Sequence, residues 1–195
     1  MKKKLLVLSL IVICVALIAG GTLAYFTAED TAHNVFTSGG VDIVVEEWQQ
    51  VPGENDPQPY PENDPIEIMP GDVVSKIPTV KSADEDVWVR VALSIVVKDA
   101  EGNDMQLSAD EIAQIISLDI NTLEWTLKDG YYYYSEAVGA DENGNAGVTD
   151  ELFNTVTFAS TMDNKFQHCT VEIDVLAEAV QAKNNGTSAL DALWS

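Results

Sequence analysis

Basic side chains are scarce in this chain of 195 residues: 10 Lys and Arg stand against 32 Asp and Glu, a formal charge of −22. A polyanion would be repelled along almost the whole length, which excludes nucleic acid as a partner. Cysteine is scarcer still. Cys14 and Cys169 cannot build the disulfide framework of a small stapled domain. Histidine is limited to His33 and His168, so there is no H-E-x-x-H helix to place two imidazoles and a general base on one face. No Gly-rich phosphate loop and no G-x-S-x-G elbow occurs, which removes the usual marks of phosphoryl transfer and serine hydrolysis. Cys169 follows His168 directly, but neighbours on a strand point to opposite faces. The pair is badly placed for proton transfer, and Cys169 reads as a small buried hydrophobe.

Apolar residues make up 46% of the chain, ample for one core. They begin with a leader. Lys2, Lys3 and Lys4 precede a 15-residue apolar run, Leu5 to Ala19, interrupted only by Ser9 and followed by Gly20, Gly21 and Thr22. That layout predicts a secretory signal peptide over residues 1–25, helical in its apolar part. The run falls short of the roughly 20 residues that cross a bilayer, so a retained anchor is the lesser reading. Cleavage is expected around Ala24, Tyr25 and Phe26, with no stable membrane anchor after processing. The exported remainder keeps seven basic against 32 acidic side chains, a charge of −25, which suits a well-solvated surface.

Past the leader the apolar spacing is that of strands. Val41, Ile43 and Val45 alternate with Asp42, Val44 and Glu46; Val87 to Val97 is the longest such run and predicts a central strand; Val171, Ile173 and Val175 continue the pattern. Pro52, Pro57, Pro59, Pro61 and Pro65 deny a ladder its N–H donors and predict an exposed acidic loop, in which Glu54-Asn55-Asp56-Pro57 repeats as Glu62-Asn63-Asp64-Pro65. Ser108-Ala109-Asp110-Glu111 is a capping box ahead of Ile112, Ile115 and Ile116 and predicts one short helix. Asp129-Gly130 between Leu127-Lys128 and Tyr131-Tyr132 predicts a tight hairpin. Within Tyr131, Tyr132, Tyr133 and Tyr134 the odd and even members face opposite ways, so one pair can enter the core while the other offers an exposed aromatic surface to a sugar or a neighbouring subunit. Ser188-Ala189-Leu190-Asp191 can start a last helical turn that docks Leu190, Leu193 and Trp194. In all, seven to nine short strands and one or two short helices predict an all-β sandwich over residues 41–195.

No cofactor and no metal ligand set is expected. Calcium is the one ion with even partial spacing, in Asp141, Asn143 and Asn145, but Ala146 and Leu152 stand where the loop needs Gly and a bidentate Glu. A hairpin loop accounts for that segment better.

The junction Gly21-Thr22-Leu23-Ala24-Tyr25-Phe26-Thr27 followed by Asn34-Val35-Phe36-Thr37-Ser38-Gly39-Gly40-Val41-Asp42-Ile43 resembles that of the TasA/camelysin family of Gram-positive bacteria. The likeness continues in Pro70-Gly71-Asp72, Trp88-Val89-Arg90-Val91, Trp125, Tyr131 to Tyr134, Leu152-Phe153, Ala179-Val180-Gln181-Ala182 and Ala192-Leu193-Trp194. The resemblance implies a jelly-roll-like sandwich that is secreted to the cell surface or matrix after processing by a dedicated signal peptidase, SipW, and that in some members self-associates, or joins related matrix proteins, in biofilm fibres. It also implies that residues 26–40, with Phe26, Val35 and Phe36, are a candidate donor strand for a neighbouring subunit. The same segment can fold back on its own sheet. A non-catalytic structural role follows, with a camelysin-like metalloendopeptidase as the alternative.

Overall fold

The computed structural model describes residues 26–29, 36–37, 41–61, 66–83, 85–166 and 168–194. In chain order its strands are β1 (Phe26–Glu29), β2 (Phe36–Thr37), β3 (Ile43–Gln49), β4 (Gln58–Pro59), β5 (Ile66–Ile68), β6 (Val73–Ser75), β7 (Ile77–Ser82), β8 (Val87–Lys98), β9 (Ile116–Leu118), β10 (Trp125–Lys128), β11 (Tyr131–Tyr134), β12 (Gly147–Val148), β13 (Thr155–Phe158) and β14 (Thr170–Gln181). The only α-helix among the described residues is α1, Ala109–Ile115. The class is therefore all-β. More strands are present than the alternation predicts, because pieces of two to four residues are too short to show a period.

The two longest alternating runs pair with each other. β8 and β14 are antiparallel over their full lengths, from Thr170 opposite Lys98 to Gln181 opposite Val87. This register stacks Val171, Val175, Ala177 and Ala179 on the same face as Val97, Leu93, Val91 and Val89, which is the buried face. Each such large apolar side chain, fully buried, contributes about 1.5–3 kcal/mol. The large sheet runs β10-β11-β8-β14-β1-β5, with β2 also on β14. Two smaller sheets, β12-β7-β3-β4 and β6-β13-β9, send Ile43, Val80, Ile116, Val156 and Phe158 into the same cluster. One core thus lies between the large sheet and the two small ones.

Local chemistry sets the boundaries. Ser108 caps α1: its hydroxyl accepts from Glu111 N, while the Glu111 carboxylate accepts from Ser108 N. Helix α1 stops where Ile116 turns extended and opens β9, so Ile116 serves the sheet rather than the helix. At the β10–β11 hairpin Lys128 pairs with Tyr131, and Asp129 and Gly130 take φ of 50° and 85°. Two left-handed residues in a row match the twist of a tight hairpin, and glycine adopts the second without strain.

Two expectations are corrected. The proline-rich segment is not wholly an exposed loop, because Gln58 and Pro59 pair with Gln49 and Trp48 of β3, and Tyr60 is buried beside them. Proline is tolerated in this short outer strand, where its missing N–H breaks no ladder. Its second acidic quartet, residues 62–65, lies outside the described residues. The segment after Asn184 is a series of turns rather than a helix, and it docks through Ala189 and Trp194, whereas Leu193 is 83% exposed and Leu190 is also exposed.

Candidate functional site

β14 has one edge fully occupied by β8. Its other edge receives the segment that follows the leader, in two pieces. β1 lies parallel to its start, with Thr27, Ala28 and Glu29 opposite Thr170, Val171 and Glu172, and β2 lies parallel near its end, with Phe36 and Thr37 opposite Glu178 and Ala179. β1 also pairs antiparallel with β5, Phe26 opposite Ile68. No described strand lies against Ile173 to Ala177 on this side. In this single chain the donor segment is thus folded back on its own sheet. Ala24, Tyr25 and Val35 lie outside the described residues.

Such an edge presents backbone N–H and C=O groups that any strand of compatible sequence can satisfy. Two- and three-residue parallel contacts are weak individually, since parallel pairing is the less stable geometry per residue.

The tyrosine strand β11 lies in the same sheet, separated from β14 by β8. Tyr132 and Tyr134 turn inward as alternation requires, and Tyr134 packs on Trp125 with ring centroids 5.0 Å apart. Tyr131 and Tyr133 turn outward but do not form an exposed aromatic surface. Trp194 packs edge-on against Tyr133 at 5.8 Å, and Tyr133 is buried. The Arg90 guanidinium lies over the rings of Tyr131, at 4.0 Å, and Trp194, at 4.3 Å. Arg90 also donates to Glu178 from Nε at 2.7 Å, with its Nη2 2.5 Å from the same oxygen, and donates from Nη1 to the Tyr133 hydroxyl. The Tyr131 hydroxyl donates to the other Glu178 oxygen. The covering residue is more than 60 positions away in sequence; the apolar spacing of Leu190, Leu193 and Trp194 predicts docking of the tail but not the strand it covers.

Burial pushes the Tyr134 phenol up to about 12; its hydroxyl donates to Asp150 Oδ2 and accepts from Asp150 N. The folded-state value lies above the ordinary one, about 10, so the contribution of the neutral phenol is complete below that pH and is lost as pH rises through about 12. An alkaline titration followed by phenolate absorbance and circular dichroism is expected to show Tyr134 ionising above the ordinary range, in step with loss of the β signal.

Asp99 and Asp141 each close a five-residue Asp-x-x-Gly-Asn turn. Asp141 Oδ1 accepts from Asn143 N and Asn145 N and its Oδ2 from Asn145 Nδ2; Asp99 is bound likewise by Glu101 N, Asn103 N and Asn103 Nδ2. These bonds, led by the Asn145 side chain and the Asn103 backbone respectively, hold both carboxyls below the usual range. Cys169 is buried, 3.5 Å from the Met105 sulfur, and burial raises its thiol. His168 is exposed on a turn with φ of 62°, so the two point apart. His33 lies outside the described residues.

These features define an all-β sandwich whose edge is completed by its own leading strands. The family described as Camelysin metallo-endopeptidase matches residues 1–186, and the chain belongs to it, the TasA/camelysin family. No curated protein and no solved structure matches. The family's description implies a metal. Zinc in a protease is held by three protein ligands, chiefly His and carboxylate. Among the described residues no group of three or more His, Cys, Asp or Glu is placed to hold an ion, and His168 is the only histidine, so the described residues do not fit a zinc centre.

Proposed function

We propose that this chain is an exported, non-catalytic structural protein of the cell surface or extracellular matrix, and that it self-associates when the strands after the leader leave their own β14 for the same edge of a neighbour. The observation that carries this reading is the parallel seating of β1 and β2 along β14. Identical hydrogen bonds form whether donor and acceptor belong to one chain or two, so concentration decides between a closed monomer and an open head-to-tail polymer. The basic and apolar layout of residues 2–19 supports export. The strongly acidic remainder supports a solvated extracellular surface.

The secreted protein is to be compared with a variant lacking Phe26–Thr37, by light scattering and electron microscopy. Polymers are expected from the first and none from the second. Unchanged polymers from the shortened chain, or zinc at one per chain with chelator-sensitive casein cleavage, would overturn the reading.

A further inference from the structure

The segment from Ala182 to Trp194 forms a strap across the outer face of β8, β11 and β14. It leaves β14 through Ala182 N, which donates to Asp86 O, and is tied to β8 where Trp88 Nε1 donates to Asn185 O at 2.8 Å. It closes on itself twice. Leu193 N donates to Asn185 Oδ1 and Asn185 Nδ2 to Leu193 O, and Trp194 Nε1 donates to Ala189 O. Gly186, at φ 79°, lets the chain pass so close that a Cβ would sit 3.0 Å from the Asp191 backbone. The strap is therefore a built element whose end places the Trp194 indole against Arg90 and Tyr133.

One row of the sheet joins this strap to the strand-addition site. Tyr133 of β11 is opposite Arg90 of β8, Arg90 is opposite Glu178 of β14, and Glu178 is opposite Phe36 of β2. Glu178 is thus both the carboxylate that Arg90 and Tyr131 hold and the residue at which β2 joins the sheet. With Trp194 in place, Arg90 has aromatic rings shielding it and its ion pair with Glu178 is only partly solvated. Without Trp194 one of the two rings over Arg90 is gone and the pair is more solvated, which weakens it. The end of β14 stays paired with β8, but Glu178, where β2 joins it, is held less firmly.

Resting on the strand-addition reading, we infer that the strap is a latch on it: docked Trp194, through Arg90 and Glu178, sets how readily β2 leaves β14. Its release lowers the barrier to opening the closed monomer without altering the strand that is exchanged. The groups on the row are the same in monomer and polymer, so the latch controls the rate of exchange more than its endpoint.

Amide hydrogen exchange on the secreted protein, held dilute and monomeric, tests this. Trp194→Ala is expected to speed exchange about tenfold at those amides among Phe36, Thr37, Glu178 and Ala179 whose N–H faces the seam between β2 and β14, the scale of a partly desolvated cation–π contact, while Val89 and Val91 keep wild-type rates. Wild-type exchange at those seam amides, with the Leu193 amide deprotected, would show the strap to be a mere cover and overturn the inference. Should Val89 and Val91 also accelerate, the fold itself has loosened, and Glu178→Gln, which keeps the strap, decides. The same acceleration is expected from it, and none would overturn the latch. A wild-type protein that never polymerises would sink strand addition, yet these rates, read in the monomer, would still judge the latch.

Discussion

Replacing Lys76 by alanine is expected to lower the unfolding free energy by about 3–5 kcal/mol, the usual loss when one partner of a buried ion pair is removed. Lys76 sits between β6 and β7, its Nζ 2.7 Å from Glu47 Oε2, with the two side chains only 3% and 6% exposed. The ammonium also lies 4.6 Å from the centre of the Tyr60 ring, and Tyr60 N donates to Glu47 O. Tyr60 thus closes the proline-rich segment over the pair and excludes water from it. Truncating the lysine leaves the Glu47 carboxylate in a site that cannot hydrate it, which is where the loss arises. Lys76→Met combined with Glu47→Leu removes both charges and keeps the volume, so the double variant is expected to recover most of the stability. Urea unfolding measures both. A single variant that loses less than about 1 kcal/mol, the range of exposed pairs, would mean that Tyr60 does not cover the pair in solution.

Where apolar residues alternate along a segment, their order dictates the structure, and β8 shows this: Val87, Val89 and Val91 all enter the main core, while Trp88 between them packs in a second cluster on the opposite face. The hairpin at Asp129-Gly130 and the cap at Ser108 are equally legible, because each satisfies its backbone groups within four residues. The Lys76–Glu47 pair is not legible. A lysine beside a proline-interrupted strand reads as solvated until β3 and Tyr60 are brought around it, and those contacts span 29 and 16 residues. The outward tyrosines fail for the same reason. Alternation separates Tyr131 and Tyr133 from Tyr132 and Tyr134, as found, but says nothing of what a distant tryptophan will lay on top of them. Likewise the apolar lead-in at Phe26 and Phe36 marks strand-forming chain without choosing between its own β14 and another copy's, since both choices make the same hydrogen bonds.

Trp125→Ala is expected to cost about 3–5 kcal/mol, the range for deleting a large buried aromatic side chain. Trp125 is 2% exposed and does two jobs. Its ring packs on Tyr134, and its Nε1 donates to Asp150 O at 3.3 Å, while Asp150 also exchanges two hydrogen bonds with the Tyr134 hydroxyl. This triangle fastens the β10–β11 hairpin to the chain just before Leu152 and Phe153, both fully buried. Alanine opens a cavity and frees Tyr134 on the inner face of β11. Trp125→Phe retains most of the packing and drops only the N–H donor, so about 1–2 kcal/mol is expected, the penalty for a carbonyl left short of a partner. Denaturant midpoints at unchanged m separate the two; equal losses would assign the whole effect to the hydrogen bond. Because Tyr131 and Tyr133 lie on the opposite face of the same strand, a hairpin loosened at Trp125 also loosens the platform under Trp194. Trp125→Ala and Trp194→Ala are therefore expected to be less than additive in amide protection at Leu193, whereas fully additive effects would show that the inner and outer aromatic layers of β11 act independently.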